Sequence, residues 1–246
     1  MPAFDRYQFA LDVDAPVTVE DLVKFHALQT RFSGSFEKIF GDPNLPRSVL
    51  IVPSLSFDQD VLAKIKGAPY YEERMLCLLL LLRMPRTHVI YVTSMPISES
   101  IIDYYLHLLP GIPGLHARRR LTLVSCNDAS PIALTRKILE RPRLIERLRH
   151  AIPDPEAAHM TCFTVTELER KLSLALDLPI YGCDPSLQKW GSKSGSRKIF
   201  RDAQVDLPFG FEDLTHADDV AHALTELKRK MPRPNFPLSK SIKPWT

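Results

Sequence analysis

Short, uninterrupted apolar runs recur along the chain: Ser48-Val-Leu-Ile-Val52, His88-Val-Ile-Tyr-Val-Thr93 and Arg120-Leu-Thr-Leu-Val-Ser125. Each is too short for a core helix and lacks the alternation of a half-exposed strand. Each therefore reads as a strand buried on both faces. Met160–Phe163 repeats the pattern. Between the runs lie helical segments near Asp58–Ile65, Tyr71–Met84, Ser98–Leu109, Pro131–Leu139 and Pro142–His150. A further helix starts from Thr166, with Glu169 three residues on completing a capping box. Strands alternating with helices predict an α/β fold, an open parallel sheet with flanking helices.

The outer parts of the chain differ from this alternation. In residues 1–46, Thr18 followed by Glu20 and Asp21 is a helix start, and Leu22, Phe25, Leu28 and Phe32 follow at helical spacing. This predicts an N-terminal helical segment, with the α/β domain over 47–190. A second domain is expected to start over 191–232, including a helix Thr215–Lys230. The proline-broken stretch 233–246 is expected to be a disordered tail.

Charge and composition exclude several functions. The net charge is +3, from 32 Lys and Arg against 29 Asp and Glu mixed along the chain, so no nucleic-acid partner is implied. No targeting signal opens the sequence. The most apolar run, Met75–Leu82, is closed by Arg74 and Arg83 and falls short of the roughly 20 residues of a membrane span. It reads as a buried helix, and no membrane partner is expected. Cys77, Cys126, Cys162 and Cys183 form no CxxC pair, and three lie in or beside apolar runs. Buried, reduced thiols and a cytoplasmic location follow.

Most motif chemistry is also excluded. Pro53-Ser-Leu-Ser-Phe-Asp58 follows the first strand without glycine, so no dinucleotide fingerprint is present. Gly191-Ser-Lys-Ser-Gly195 has neither the Lys-Ser/Thr of a phosphate loop nor the central serine of a nucleophile elbow. The eight histidines are scattered, so no metal site is expected.

Two constellations remain. Val52-Pro-Ser54, Val92-Thr93-Ser94 and Val124-Ser125 each place a hydroxyl just past a buried strand. In open α/β sheets ligands bind outside the strands' carboxyl ends. Ser54, Thr93, Ser94 and Ser125 thus either line a substrate pocket or cap the helices that follow. Further on, Lys193, Arg197, Lys198 and Arg201 crowd the start of a helix, where cations are unfavourable unless an anion completes the site. The other reading is a solvated basic helix face.

At these residues the sequence resembles a family. Lys193-x-x-x-Arg197-x-x-Phe200, followed by Ala203-Gln-Val-Asp-Leu-Pro208, is similar to the segment opening the nucleotide domain of ATP-grasp ligases. The blocks Arg47–Ser56, Tyr71–Met75, Ile101–Tyr105, Arg118–Ser125 and Lys193–Lys198 resemble a narrower branch. That branch contains the pheganomycin-type peptide ligases and the IQ motif-containing protein H. The resemblance covers about Arg47 to Pro232.

The resemblance implies a pre-ATP-grasp α/β domain followed by the truncated start of an ATP-grasp central domain. It also implies ATP with magnesium as cofactors, and a small-molecule carboxylate and an amine as substrates. Lys193, with Arg197 nearby, matches the first nucleotide lysine of the family. Ile242-Lys243-Pro244 echoes the second, without the apolar strand that should lead into it. The family's glycine-rich loop and magnesium ligands find no match, and none of the nine glycines lies beyond Gly210.

Two functions are therefore expected of the sequence. In the first, the chain is the N-terminal portion of an ATP-grasp carboxylate–amine ligase-like protein, from a truncated gene model or a short isoform, and does not catalyse ligation alone. In the second, it is a binding or scaffold module that has lost the ATP-grasp core. Phe209, Phe211 and Phe236 would then be surface residues covered by a homodimer, or by the missing core in the first case.

Overall fold

The computed structural model describes residues 12–42, 44–56 and 59–230. Lys243 and Phe236 lie outside the described residues. The chain divides into two compact units, residues 1–185 and 186–246.

In the first unit, strands β1 (Arg47–Val52), β2 (Thr87–Thr93), β3 (Leu121–Ser125) and β4 (Ala158–Cys162) form one sheet in the order β3-β2-β1-β4. All the pairings are parallel, with Leu50 opposite Ile90 and Met160, and Tyr91 opposite Leu123. The expected strands are thus all present, shifted by one or two residues. The α/β class expected of the sequence is borne out, as a four-stranded parallel sheet with flanking helices.

The sheet is apolar on both faces because side chains alternate along each strand. Leu50, Val52, Ile90, Val92 and Val124 face one core. There they meet helices α5 (Leu134–Leu139), α6 (Pro142–Ala151) and α7 (Glu167–Leu176). Val49, Ile51, Val89 and Tyr91 face the opposite core, against Ile102 and Leu106 of helix α3 (Glu99–His107). Every residue of β1 is buried, as a central parallel strand requires.

Two local devices seen in the sequence are formed. Thr18 Oγ1 accepts from the Asp21 N–H (3.1 Å) while Asp21 accepts from the Thr18 N–H (2.9 Å), opening helix α1 (Val19–Gly41). At α7 the Thr166 N–H donates to Glu169 (2.8 Å) and Thr166 Oγ1 accepts from the Leu168 N–H (3.2 Å). Phe25, Leu28 and Phe32 of α1 are buried, with Phe25 in the same core as α7. Leu22 is exposed, although its spacing matched theirs.

The leucine-rich segment departs from expectation. Ala68–Arg83 is a 3₁₀ helix of 16 residues, far longer than the usual single turn. With three residues per turn, burial repeats every third position: Leu76, Leu79 and Leu82 are enclosed, while Leu80 is 49% exposed. The run is therefore not buried all round. Cys77 falls on the outward row and is exposed, against the expectation of a buried thiol, as is Cys183; Cys126 and Cys162 are half-buried, and all four are free. Arg120, at the entry to β3, donates to the carbonyls of Leu82 (2.6 Å), Met84 (2.8 Å) and Thr87 (2.9 Å). A guanidinium thus satisfies the acceptors where this helix ends. Among the described residues no helix is long and apolar enough to cross a membrane.

The described part of the second unit contains helices α8 (Gln188–Gly191), α9 (Lys193–Asp202) and α10 (Ala217–Lys230). Asp219 accepts from the His216 N–H (2.9 Å) and the Thr215 N–H (3.1 Å) to open α10. Phe209 and Phe211 are 43% and 37% exposed and pack edge to face, 5.4 Å apart.

The threefold burial repeat has a measurable consequence. Replacing Leu76, Leu79 or Leu82 by Ala should each cost about 2–5 kcal/mol in denaturant unfolding. Leu80→Ala should change stability by no more than about 0.5 kcal/mol. Equal losses at Leu79 and Leu80 would rule out this register.

Candidate functional site at the carboxyl end of the sheet

Strand order reverses between β1 and β4, because β2 and β3 extend the sheet on one side of β1 and β4 pairs on the other. Such a switch point is where open α/β sheets place their ligands. Here side chains of the chain itself bridge the two strand exits. Thr164 Oγ1 donates to the Ser54 carbonyl (2.9 Å) and accepts from the Ser56 N–H (3.0 Å). Ser56 Oγ donates to Glu169 at 2.5 Å and shares a hydrogen bond with Ser54 Oγ at 2.9 Å. Ser54 Oγ also accepts from the Thr135 N–H (3.1 Å). The N-cap of α5 is Ala133, which has no side-chain acceptor. Ser54 therefore caps a helix, but one 81 residues away rather than the helix that follows it.

The exit of β2 lies over a buried polar cluster. Glu72 of the 3₁₀ helix accepts from the Ser94 N–H (2.5 Å) and from Ser94 Oγ (2.6 Å). Lys137 of α5 donates to Ser94 Oγ (2.9 Å) and to the carbonyls of Asp128 (2.8 Å) and Ser130 (2.7 Å). Its ammonium thus has all three protons engaged while the side chain is enclosed. Burial pushes the Glu72 carboxyl up to about 7, against the opposing pull of the Ser94 bonds and the Lys137 charge. Burial likewise lowers the Lys137 ammonium, opposed by Asp128 and Glu72. Beside these groups lies a small cavity of about 10 Å³, lined also by Leu55, Leu62 and Ser130. That is space for about one water, not for a substrate.

The sequence-derived pocket residues thus separate. Ser54, Thr93 and Ser94 are enclosed, and Thr93 Oγ1 donates to the Met95 carbonyl (2.6 Å). Ser125 is half-buried, accepts from the Asn127 N–H (3.1 Å), and borders an open cleft beside α6.

Sequence reasoning missed Glu72, Lys137, Thr164 and the inward role of Glu169. Lys137 carried a signal: it lies three residues after Leu134 and next to Ile138, on the buried face of a short amphipathic helix. Glu72 stood inside one of the matching blocks, but nothing in its neighbours marked it as buried.

In the second unit Lys193 is the first residue of α9 and is exposed. Among the described residues its ammonium has no ion-pair partner. Arg197 is engaged: its Nε donates to Glu212 (2.6 Å), which also accepts from Arg201 (2.7 Å). Lys198 pairs with Asp213 (2.7 Å). Ser192 Oγ caps the helix by accepting from the Gly195 N–H (2.9 Å), which takes one first-turn donor away from any anion. Gly195 itself has a packing reason: a Cβ there would stand 2.0 Å from the Lys189 carbonyl oxygen. Lys243 falls outside the described residues. Among those residues no three His, Cys, Asp or Glu side chains gather as a metal site would need.

Two outcomes are expected from this geometry. The folded chain holds the Glu72 proton more tightly than the unfolded chain. Its contribution to stability is therefore complete below about pH 4.5 and lost as the pH rises through about 7, on the order of 3 kcal/mol in all. Denaturation midpoints from pH 5 to 8 should fall for the wild type and flatten for Glu72→Gln; matching slopes would mean that Glu72 does not titrate there. Gly195→Ala should destabilise the second unit by about 1–3 kcal/mol. Gly191→Ala, with open space around its Cβ, should be near neutral in the same melting experiment.

No protein-family model matches the chain. Over 228 residues it is 24% identical to the IQ motif-containing protein H of Danio rerio, covering 86% of this chain and 21% of that protein. Over 188 residues it is 28% identical to the L-propargylglycine–L-glutamate ligase of Streptantibioticus cattleyicolor, covering 72% of this chain and 38% of the ligase. The chain thus spans about a fifth and under two fifths of these curated relatives. The resemblance drawn from the sequence blocks holds: this is an α/β chain similar, over most of its length, to part of an amino-acid ligase and to part of the IQ motif-containing protein H.

Proposed function

We propose that the chain is the N-terminal portion of an ATP-dependent carboxylate–amine ligase-like protein. The observation that carries this reading is the similarity to an enzyme named for joining two amino acids, extending over 72% of the chain. In this reading the first unit is the domain preceding the ATP-grasp core, and the second unit is the start of that core. ATP would supply the phosphoryl group that activates a carboxylate for attack by an amine. Lys193 would meet its phosphates, since its ammonium is exposed and without an ion-pair partner among the described residues. Arg197 would contribute only through guanidinium edges not already held by Glu212. Of the sheet-end hydroxyls, Ser125 would face substrate, while Ser54, Thr93 and Ser94 would set the loops behind it. The magnesium ligands and glycine-rich loop would come from the part of the ligase that this chain does not span, so this portion would not ligate alone.

A second reading is a non-catalytic binding or scaffold module. It is favoured by the match to the IQ motif-containing protein H, whose name states no ligase activity. It is also favoured by the exposed Phe209, Phe211, Val220 and Leu224 of the second unit, which offer apolar surface to a partner or a second copy.

Titrating the 246-residue chain with ATP tests the first reading. Saturable binding that weakens at least tenfold in Lys193→Ala supports it. No binding by the wild type, or an unchanged affinity in the variant, removes Lys193 as a phosphate contact. The intact mass of the protein in its own cells separates the two readings: a species far above 28.0 kDa favours the ligase, and one at that mass the module.

A further inference from the structure

The cleft beside Ser125 differs from the enclosed switch point next to it. It has a volume of about 590 Å³, within the range of small-molecule sites, and is lined by Ser125, Cys126, Arg141, Pro142, Arg143, Leu144 and Arg147. Three of the seven are arginines and none is an acid.

The arginines are not equivalent. Arg141 is held in place: its guanidinium donates to Asp128 (2.6 Å) and to the Lys137 carbonyl (2.8 Å). Its charge is answered by that carboxylate, which the Ser130 bonds and Arg141 hold down at about 2. Arg143 and Arg147, four residues apart on α6, are both exposed, and neither has an ion-pair or hydrogen-bond partner among the described residues. Like charges at this spacing disfavour a helix, and the positive end of the α6 dipole lies on the same side. Two uncompensated cations and a helix N-terminus therefore converge on one concave surface.

The remaining walls are apolar. Leu144 is buried and Pro142 packs at the first helical position. Burial pushes the Cys126 thiol up to about 11, so it presents a neutral sulfur rather than a competing anion.

We propose that this cleft binds a doubly anionic small molecule, carrying either two carboxylates or one phosphate. Arg143 and Arg147 hold the charges, Ser125 lies at the inner edge, and Pro142, Leu144 and Cys126 take the apolar part. Guanidinium forks suit both carboxylate and phosphate oxygens. The proposal extends the ligase reading by giving the substrate side of the first unit an anionic ligand. It needs no nucleotide, so the two fail independently.

The experiment is a titration of the full chain, without ATP and in a phosphate-free buffer, with glutarate in one arm and inorganic phosphate in the other. Binding is read from amide shifts in nitrogen-15 spectra. The proposal expects saturable binding of at least one probe, with shifts centred on Ser125 and Arg143–Arg147. Affinity should fall at least tenfold in Arg143→Gln/Arg147→Gln and stay within twofold in Arg119→Gln, an exposed arginine outside the cleft. Preference for glutarate assigns a dicarboxylate, and preference for phosphate assigns a phosphorylated ligand. Absence of saturable binding of either probe in the millimolar range overturns the proposal. So does binding that the double variant leaves intact, or shifts centred elsewhere on the wild type.

Discussion

A central parallel strand has no face to give to water, and this constraint shapes the first unit. The inner strands must bury both rows of their side chains, so helices have to cover both faces. The chain meets the demand unequally. On one face α5, α6 and α7 are ordinary amphipathic helices with inward leucines and isoleucines. On the other, a run of leucines forms a 3₁₀ helix that turns only every third residue inward. The larger rise per residue of this helix lengthens the segment, and Arg120 takes up the Leu82 carbonyl near its end and those of Met84 and Thr87 just beyond it.

Covering both faces leaves the strand exits as the polar end of the unit. The chain fills that end with its own groups: Ser54 and Ser56 with Thr164 and Glu169, and Ser94 with Glu72 and Lys137. Removing one member of such a buried network would strand the others without partners, which is costlier than the bonds are individually stabilising. The place where open α/β sheets receive ligands is thereby occupied by the chain's own hydrogen-bonded side chains. What stays open is the edge, where β3 is only partly covered and the arginines of α6 stand beside Ser125.

The second unit balances charge in a similar way. Arg197 and Arg201 share Glu212, and Lys198 takes Asp213, so most of the basic crowding at α9 is answered within the unit. A serine just before this helix and a glycine in its first turn also have structural work. Ser192 caps it, and Gly195 lets α8 approach the backbone of α9. Lys193 alone among the cations singled out in the sequence and described here keeps an ammonium with no partner in the unit.

What the sequence determined by itself was local. Continuous apolar runs marked the strands, their alternation with helical segments gave the parallel class, and Thr166 with Glu169 marked the start of α7, because propensity, capping and periodicity act within a few residues. The phase of Met75–Leu82 was not legible, since a run of leucines is apolar at every period and only the packed sheet selects which row turns inward. Nor was the polar end of the sheet. Ser54 meets Thr135 across 81 residues, and Lys137 meets Ser94 across 43, and no local signal joins such distant groups. The sequence chose the elements. The tertiary structure decided which hydroxyls became internal struts and which arginines were left facing a cleft, because burial and partner geometry exist only once the sheet is assembled.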